Sequence, residues 1–240
     1  MNSKASNNMY KTKNEKILVI VAHADDEAIG CGGTLIKHND NGDEIRIIYM
    51  TDGVGARSNN IIDKETLVRQ KRLSAQQQAC QQLNVSKYYN FDFPDNRMDQ
   101  VDLIEVTQVI ESIINEFKPT VIYTHHGGDL NIDHRIVHQA VLTACRPQPN
   151  SSVKQILSFE VNSSTEWAST SMSSPFLPNY FVDISKYQEE KQQLLEKYQE
   201  EMKPYPHSRS IKAINYLNKV RGSAVGVGSA EAFMLIRAIN

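Results

Sequence analysis

The sequence predicts an α/β fold in which helices cover both faces of an open, mainly parallel sheet, followed by a mixed C-terminal part. Apolar segments of strand length alternate with longer segments of helical spacing over residues 16–145. The first of them, KILVIVA (16–22), is apolar and β-branched without interruption, which is typical of a strand buried on both faces. Such alternation favours parallel strands joined by helices.

Each element follows from its own segment. After KILVIVA, the next predicted strands are EIRIIYMT (44–51), KYYNFDF (87–93) and TVIYTH (120–125). The helices between and after them are AIGCGGTLIKHND (28–40), TLVRQKRLSAQQQACQQL (66–83), VDLIEVTQVIESIINEF (101–117) and DHRIVHQAVLTAC (133–145). Asp133 is placed as the N-cap of the last helix. These elements together predict a Rossmann-like sheet.

The C-terminal part mixes strands with helices. Its apolar segments ILSFEV (156–161), YFVDI (180–184) and EAFMLIRAI (231–239) are predicted strands. Helical spacing covers 187–202 and 210–222, and we interpret the charges of the first, YQEEKQQLLEKYQEEM, as a solvated face. No linker composition interrupts the chain. We therefore expect a polar, disordered tail over 1–16 and one catalytic domain over 17–240.

Composition excludes several classes of protein. The net charge is -2, without the basic surplus of an electrostatic nucleic-acid binder. No apolar run approaches the roughly 20 residues of a membrane span. The first residues lack the apolar core of a secretion signal, so a cytoplasmic location is expected. Three widely spaced cysteines indicate neither a disulfide framework nor a thiolate zinc site. The partner expected is a small molecule, and a homo-oligomer is compatible with the sequence.

The stretch VAHADDEAIGCGG (21–33) places one histidine and three carboxylates directly after the first strand. Like charges repel, and carboxylates leaving water need a cation or hydrogen bonds. A divalent metal would compensate them, with one nitrogen ligand from His23 and one oxygen ligand from Asp26. The segment THHGGDLNIDHR offers a second, distant histidine. Asp25 then remains free to take a proton from water as a general base.

Further polar residues follow the other strands of the predicted sheet. Because ligands bind at the carboxyl ends of parallel strands, these residues are expected at one rim. We expect substrate contact from Arg57, Asp95, Arg97, His126 and Asp129. The alternatives stay open: the first three can pair as surface ions, and Asp129 can hold a neighbouring polar group or simply form a turn. Likewise, the loop KPYPHSRS (203–210) can close over the site and bring His207 to it, or His207 can be an ordinary exposed histidine.

The motif AHADDE resembles the AHPDDE signature of the PIG-L/LmbE-like N-deacetylases, and the later DHR resembles their second metal motif. Members of that family are metal hydrolases that remove acetyl groups from N-acetylglucosamine conjugates. The resemblance implies that His23, Asp26 and His134 bind Zn²⁺, or Fe²⁺ or Co²⁺ in its place. It also implies that Asp25 is the general base and that Arg57 contacts substrate.

One departure from the family pattern concerns the second motif. Many members have His-x-Asp-His, whereas this chain has Asn131-Ile132-Asp133-His134. Asn131 can donate a hydrogen bond to an oxyanion but cannot carry a proton. We therefore count Asn131 and Asp133 with Asp25 as catalytic. The group that protonates the leaving amine is then Asp25, with the runners-up His125, His126 and His207.

Three other interpretations fit part of this pattern. Paired acids after a first strand also suit a magnesium-dependent phosphohydrolase, although magnesium prefers oxygen ligands and His23 argues against it. A non-catalytic nucleotide-sugar-binding domain on the same fold would keep the pocket without a metal. Finally, AHADDE alone could be a cluster of helix-capping acids, but capping does not require the second motif.

Overall fold

The computed structural model describes residues 14–53, 62–171 and 173–239. Within them, the strands are β1 (Lys16–Val21), β2 (Glu44–Thr51), β3 (Lys87–Phe93), β4 (Val121–His125), β5 (Gln155–Phe159), β6 (Tyr180–Asp183) and β7 (Ala230–Ala238). The α-helices of the same ranges are α1 (Asp26–Asp40), α2 (Ile62–Gln82), α3 (Leu103–Phe117), α4 (Ile132–Ala144), α5 (Gln188–Lys197) and α6 (Ile211–Ser223). Two 3₁₀ turns cover Met98–Gln100 and Thr165–Trp167. None of the described helices is long and apolar enough to cross a membrane.

The strands form one sheet in the order β3-β2-β1-β4-β5-β7-β6. Neighbouring strands from β3 to β5 pair in parallel, and β7 runs antiparallel to both β5 and β6. The mainly parallel sheet and the mixed C-terminal part are therefore confirmed. The strand order reverses at β1, since β2 lies on one side of it and β4 on the other. A ligand crevice is expected at that point, outside the carboxyl ends of β1 and β4.

The core has two halves, one on each face of the sheet. Ile17, Val19 and Val21 of β1 pack with α1, α2 and α5, whereas Leu18 and Ile20 pack with α3 and α4. Successive strand residues point to opposite faces, so both faces of β1 must be apolar. This explains the uninterrupted run KILVIV, whose central residues are fully buried.

The structure corrects three local expectations. Lys16 belongs to β1 rather than to the polar tail, because it pairs with Glu44. The N-cap of α4 is Asn131, whose side chain accepts a hydrogen bond from the backbone N–H of Asp133. On α5, Lys191 is buried although its segment was expected to be a solvated face.

Gly30 of α1 allows close packing against the sheet. A Cβ atom at this position would overlap the ring of Phe159 in β5. No side chain fits there, so α1 can approach the sheet only with glycine here.

Candidate active site

A cavity of about 300 Å³ lies at the carboxyl ends of the parallel strands. It is formed by residues that follow β1, β2, β3, β4 and β5, by Arg72 of α2, and by the segment between α5 and α6. Its lining is mostly polar or charged: His23, Gly53, Arg72, Asp95, Asn96, Asn131, Ser163, Trp167, Glu201, Lys203, His207 and Arg209. The reversal of strand order therefore creates the crevice that the topology predicts.

Three buried ligand atoms meet at the floor of this cavity. His23 Nδ1 lies 3.3 Å from Asp26 Oδ2 and 3.3 Å from His134 Nε2, and the last two atoms are 3.4 Å apart. Tetrahedral zinc has bonds of about 2.0–2.1 Å to such ligands, which places ligand atoms about 3.3–3.4 Å apart. The donor set and its spacing fit a divalent transition metal with a fourth position open.

The local backbone brings these side chains together. β1 ends at Val21, and Asp26 opens α1 with its Oδ2 accepting a hydrogen bond of 2.8 Å from the backbone N–H of His23. His134 lies in the first turn of α4, which begins after β4. Because β1 and β4 are adjacent and parallel, both strand-to-helix turns face each other.

Carboxylates behind the two histidines hold their rings. His23 Nε2 lies 3.1 Å from Asp133 Oδ2, which leaves Nδ1 facing the ligand cluster. His134 Nδ1 lies 3.2 Å from Asp129 Oδ1, which leaves Nε2 facing it. Such outer carboxylates orient metal-binding imidazoles and raise their basicity.

Neither of these two carboxylates lines the cavity. Asp133 was expected to be catalytic and Asp129 to contact substrate, but both are buried. Asp133 also accepts hydrogen bonds from the backbone N–H groups of Asn96 and Met98. Asp129 accepts from Thr165 Oγ1 at 2.5 Å, so it holds neighbouring polar groups. Both are placed to orient the histidine rings.

The histidines and carboxylates of this cluster shift one another's pKa values. Burial lowers the pKa of His134, but Asp26 and Asp129 outweigh it and raise the pKa to about 9. Burial raises the pKa of Asp26, but His134 and His125 hold it well below its usual range. Histidines therefore compensate the buried carboxylates, and a cation would have to displace a proton to bind.

Asp25 has a different environment from Asp26. Its backbone φ is 129°, a conformation that non-glycine residues rarely adopt and that is often found at functional sites. Its Oδ2 accepts a hydrogen bond of 2.9 Å from Arg209 Nη1, and Arg72 Nη2 lies 3.8 Å from Oδ1. Among the described residues, Oδ1 has no hydrogen-bond partner. Burial raises the pKa of Asp25, opposed by Arg209.

Sequence reasoning missed the arginines that reach Asp25. Arg209 lies in the loop KPYPHSRS, from which only His207 had been singled out. Arg72 lies on α2, bonds the carbonyl of Gly53 at 2.5 Å and lies 3.5 Å from Glu201 Oε1. Both arginines line the cavity. No spacing signal connects them to Asp25, since Arg209 is 184 positions away.

Asn131 and Asp95 lie on the cavity wall, as expected for groups that meet substrate. Asn131 donates from Nδ2 to Asn96 Oδ1 at 3.2 Å while its Oδ1 caps α4. Asp95 Oδ1 lies 3.2 Å from His23 Nε2, so this carboxylate also supports a ligand. His207 lines the cavity too, which puts its loop over the site.

The remaining candidates that the structure describes are not part of the cavity lining. His126 is buried and its Nε2 lies 2.8 Å from the carbonyl oxygen of Ser174. Arg97 is exposed and is not part of the cavity lining. Arg57 lies outside the described residues. His125 is buried, stacks on His134 and accepts a hydrogen bond from the Ala22 N–H.

Fold and site together define a class: α/β proteins with a histidine–carboxylate centre where the order of a parallel sheet reverses. Residues 18–145, more than half of the chain, match the family PIG-L, GlcNAc-PI de-N-acetylase. The chain belongs to this family of deacetylases.

Two relatives match a larger part of the chain than the family does. The uncharacterized deacetylase YaiS of Escherichia coli is 30% identical over 177 residues, which are 72% of this chain and 83% of that protein. The diacetylchitobiose deacetylase of Thermococcus kodakarensis is 29% identical over 191 residues, 74% of this chain and 66% of that protein.

Solved structures share the fold at lower identity. GalB of Pseudomonas putida KT2440, a 4-carboxy-2-hydroxymuconate hydratase, superposes with a TM-score of 0.74 at 18% identity, over 94% of this chain and 98% of that chain. At this identity the likeness shows the fold alone. Because GalB is a hydratase, the reaction of this chain must be argued from its site.

Proposed function

We propose that this protein is a metal-dependent N-deacetylase that hydrolyses the acetamide of an N-acetylglucosamine-type sugar within a larger conjugate, releasing acetate. Membership of the PIG-L family and similarity to a diacetylchitobiose deacetylase support the reaction and the class of substrate. The metal is proposed as Zn²⁺, with Fe²⁺ or Co²⁺ as substitutes.

The observation that carries the proposal is the triangle of His23 Nδ1, Asp26 Oδ2 and His134 Nε2, with edges of 3.3, 3.3 and 3.4 Å. Two imidazoles and one carboxylate suit zinc or iron better than magnesium, which prefers oxygen ligands. This disfavours a magnesium-dependent phosphohydrolase. A metal bound here would polarise the acetyl carbonyl and make water more acidic.

The chain's own residues would then move the protons. Asp25 Oδ1, a buried acceptor without a hydrogen-bond partner among the described residues, takes a proton from the attacking water. Arg209 holds the other oxygen of that carboxylate and fixes its direction. Asn131 Nδ2 donates to the oxyanion as the carbonyl carbon becomes tetrahedral.

Asp25 then returns its proton to the leaving amine as the carbon–nitrogen bond breaks, giving the free amino sugar and acetate. His207, which lines the cavity, is the remaining alternative donor. His125 and His126 are less suitable, because their Nε2 atoms contact backbone groups of Ala22 and Ser174.

Metal content and acetate release test this function. Purified protein is expected to hold one transition-metal ion per chain by elemental analysis, and to release acetate from N-acetylglucosamine conjugates. His23→Ala and His134→Ala should lose both, with an unchanged far-ultraviolet dichroism spectrum. Full metal occupancy in both variants would overturn the ligand set, and metal without acetate release from any conjugate would favour a sugar-binding domain.

A further inference from the structure

Trp167 lies at the mouth of the candidate active site. Its indole is 53% exposed, yet it forms part of the cavity lining. The other described lining residues, apart from Gly53, are polar or charged. A large apolar ring on the wall of a polar cavity indicates a ligand with both a polar edge and an apolar face.

The turn that carries Trp167 is linked by hydrogen bonds to a proposed metal ligand. Thr165, in the same 3₁₀ turn, donates from Oγ1 to Asp129 Oδ2 at 2.5 Å. The same carboxylate lies 3.2 Å from His134 Nδ1. One side chain therefore links the turn that carries Trp167 to the ring of a metal ligand.

A second contact supports the ring from the side. The imidazole of His207 meets the indole edge to face, with ring centroids 5.6 Å apart and an angle of 71° between planes. His207 belongs to the loop that also carries Arg209, which bonds Asp25. The indole thus has one supported side and an exposed remainder, which is the arrangement of a rigid platform rather than a core residue.

The size of the cavity indicates what would lie on that platform. Its volume of about 300 Å³ is at the lower end for small-molecule sites, so it suits one sugar ring rather than a whole conjugate. The neighbouring unit of the conjugate must then leave through the mouth, past Trp167. A pyranose offers hydroxyls at its edge and C–H groups on its faces, which match an exposed indole.

We propose that Trp167 is a specificity-determining residue that stacks on the second sugar ring of the substrate, next to the ring that is deacetylated. The substrate class is therefore an N-acetylated disaccharide or longer oligosaccharide. This inference rests on the proposed deacetylase function.

Trp167 is the single tryptophan of the chain, so intrinsic fluorescence reports on it alone. The metal-loaded Asp25→Asn protein should be titrated with N,N′-diacetylchitobiose and with N-acetylglucosamine. The disaccharide is expected to give a saturable blue shift because stacking shields the indole from water. The monosaccharide should give a smaller shift even at saturation.

Kinetics provide a second readout on the otherwise unmodified protein. Trp167→Ala should lower kcat/KM for the disaccharide about tenfold, mainly by raising KM, because stacking is equal in the ground and transition states. The value for the monosaccharide should change less than about threefold. Trp167→Phe should restore most of the loss. Tyr216→Ala serves as the matched control, since Tyr216 is 47% exposed and lies outside the cavity lining.

The two hypotheses fail in different ways. Acetate release with equal losses on both substrates in Trp167→Ala, or with no loss on either, would overturn the stacking role and leave the deacetylase function intact. Absence of acetate release from either substrate would contradict the proposed function for these sugars. In that case a saturable fluorescence shift with the disaccharide would still support the platform, and its absence would overturn it.

Discussion

Two adjacent carboxylates after β1 have separate environments. Asp26 directs Oδ2 at the two histidines, whereas Asp25 directs Oδ2 at Arg209. The backbone of Asp25 also has an unusual φ of 129°. Single substitutions at these positions should therefore separate proton transfer from metal binding.

The first prediction concerns these two residues. Asp25→Asn is expected to keep the metal but lose about 10²–10⁴-fold in turnover, the usual contribution of a positioned general base. Asp26→Ala should lose the metal and activity together, because it removes one of three ligands. Acetate release and elemental analysis check both. Near-parent turnover of Asp25→Asn would disprove the role as base.

The second prediction separates two tasks of Asn131. Asn131→Ala removes the N-cap of α4 and the Nδ2 donor, so unfolding free energy should fall by about 1 kcal/mol. Turnover should also fall by roughly 10²–10³-fold, the effect of losing one oxyanion donor. Substrate affinity should change less, since the oxyanion exists only along the reaction path.

Asn131→Asp is the matched control, because its carboxylate can cap α4 but cannot donate. It should recover stability without recovering turnover. If Asn131→Ala turns over like the parent, Asn131 is only a capping residue. If Asn131→Ala loses metal, the side chain supports the ligands through its neighbours instead.

At the scale of elements, helix α1 is interrupted at Cys31, where φ is −144° and ψ is 16°. A buried ion pair from α5 and β7 serves the backbone there: Lys191 Nζ lies 2.6 Å from Glu231 Oε1 and donates to the carbonyl of Ile29 at 3.0 Å. The carboxylate accepts hydrogen bonds of 2.8 and 2.7 Å from the backbone N–H groups of Gly33 and Thr34. Packing of α1 against β5 therefore depends on charges from two other elements.

The third prediction tests that dependence. Lys191→Met leaves Glu231 buried without its cation, so unfolding free energy should fall by about 3–5 kcal/mol. Adding Glu231→Gln to this variant should recover part of the loss, because the uncompensated charge is removed. Lys197→Met, at an exposed position of the same helix, should change stability little. Urea unfolding checks all three variants, and a small effect of Lys191→Met alone would contradict the assignment.

At the scale of the whole molecule, stability, pH and metal binding are coupled through buried groups. Burial raises the pKa of Glu27 to about 7, against the hydrogen bond from Tyr198. In the unfolded chain Glu27 has its ordinary pKa of 4.5. The stability that the folded protein gains from neutral Glu27 is therefore lost as the pH rises from 4.5 to about 7. The folded protein favours the charged form of His134. The stability gained from this charge is lost as the pH rises from 6.5, the ordinary pKa of histidine, to about 9.

The fourth prediction follows from these signs. Metal-free protein should become less stable from pH 5 to pH 9, the window that the shifts of Glu27 and His134 cover. Metal binding requires neutral His134, so affinity should rise over the upper part of this window. The difference in Tm between metal-loaded and metal-free protein should therefore widen with pH, as measured by scanning calorimetry. A constant difference would contradict the ligand role of His134.

Local patterns sufficed to predict most of the fold. EIRIIYMT and KYYNFDF form strands with the predicted bounds, because a pleated, buried or half-buried sheet surface selects β-branched and aromatic runs that are visible in the sequence. His23 and Asp26 were predicted as metal ligands from the charged cluster after the first strand, and His134 from the family resemblance. The structure brings the three side chains together.

The tertiary structure alone decided how that triad is supported. Asp129 and Asp133 are polar residues in a short loop and a helix start, and only their burial behind His134 and His23 distinguishes positioning from contact with substrate. Arg209 reaches Asp25 across 184 positions, and Lys191 reaches Glu231 across 40. Periodicity and spacing report on neighbours along the chain, whereas these contacts depend on the spatial order of the strands in the sheet. The sequence therefore determined the elements and the reacting groups, and the strand order decided which side chains surround them.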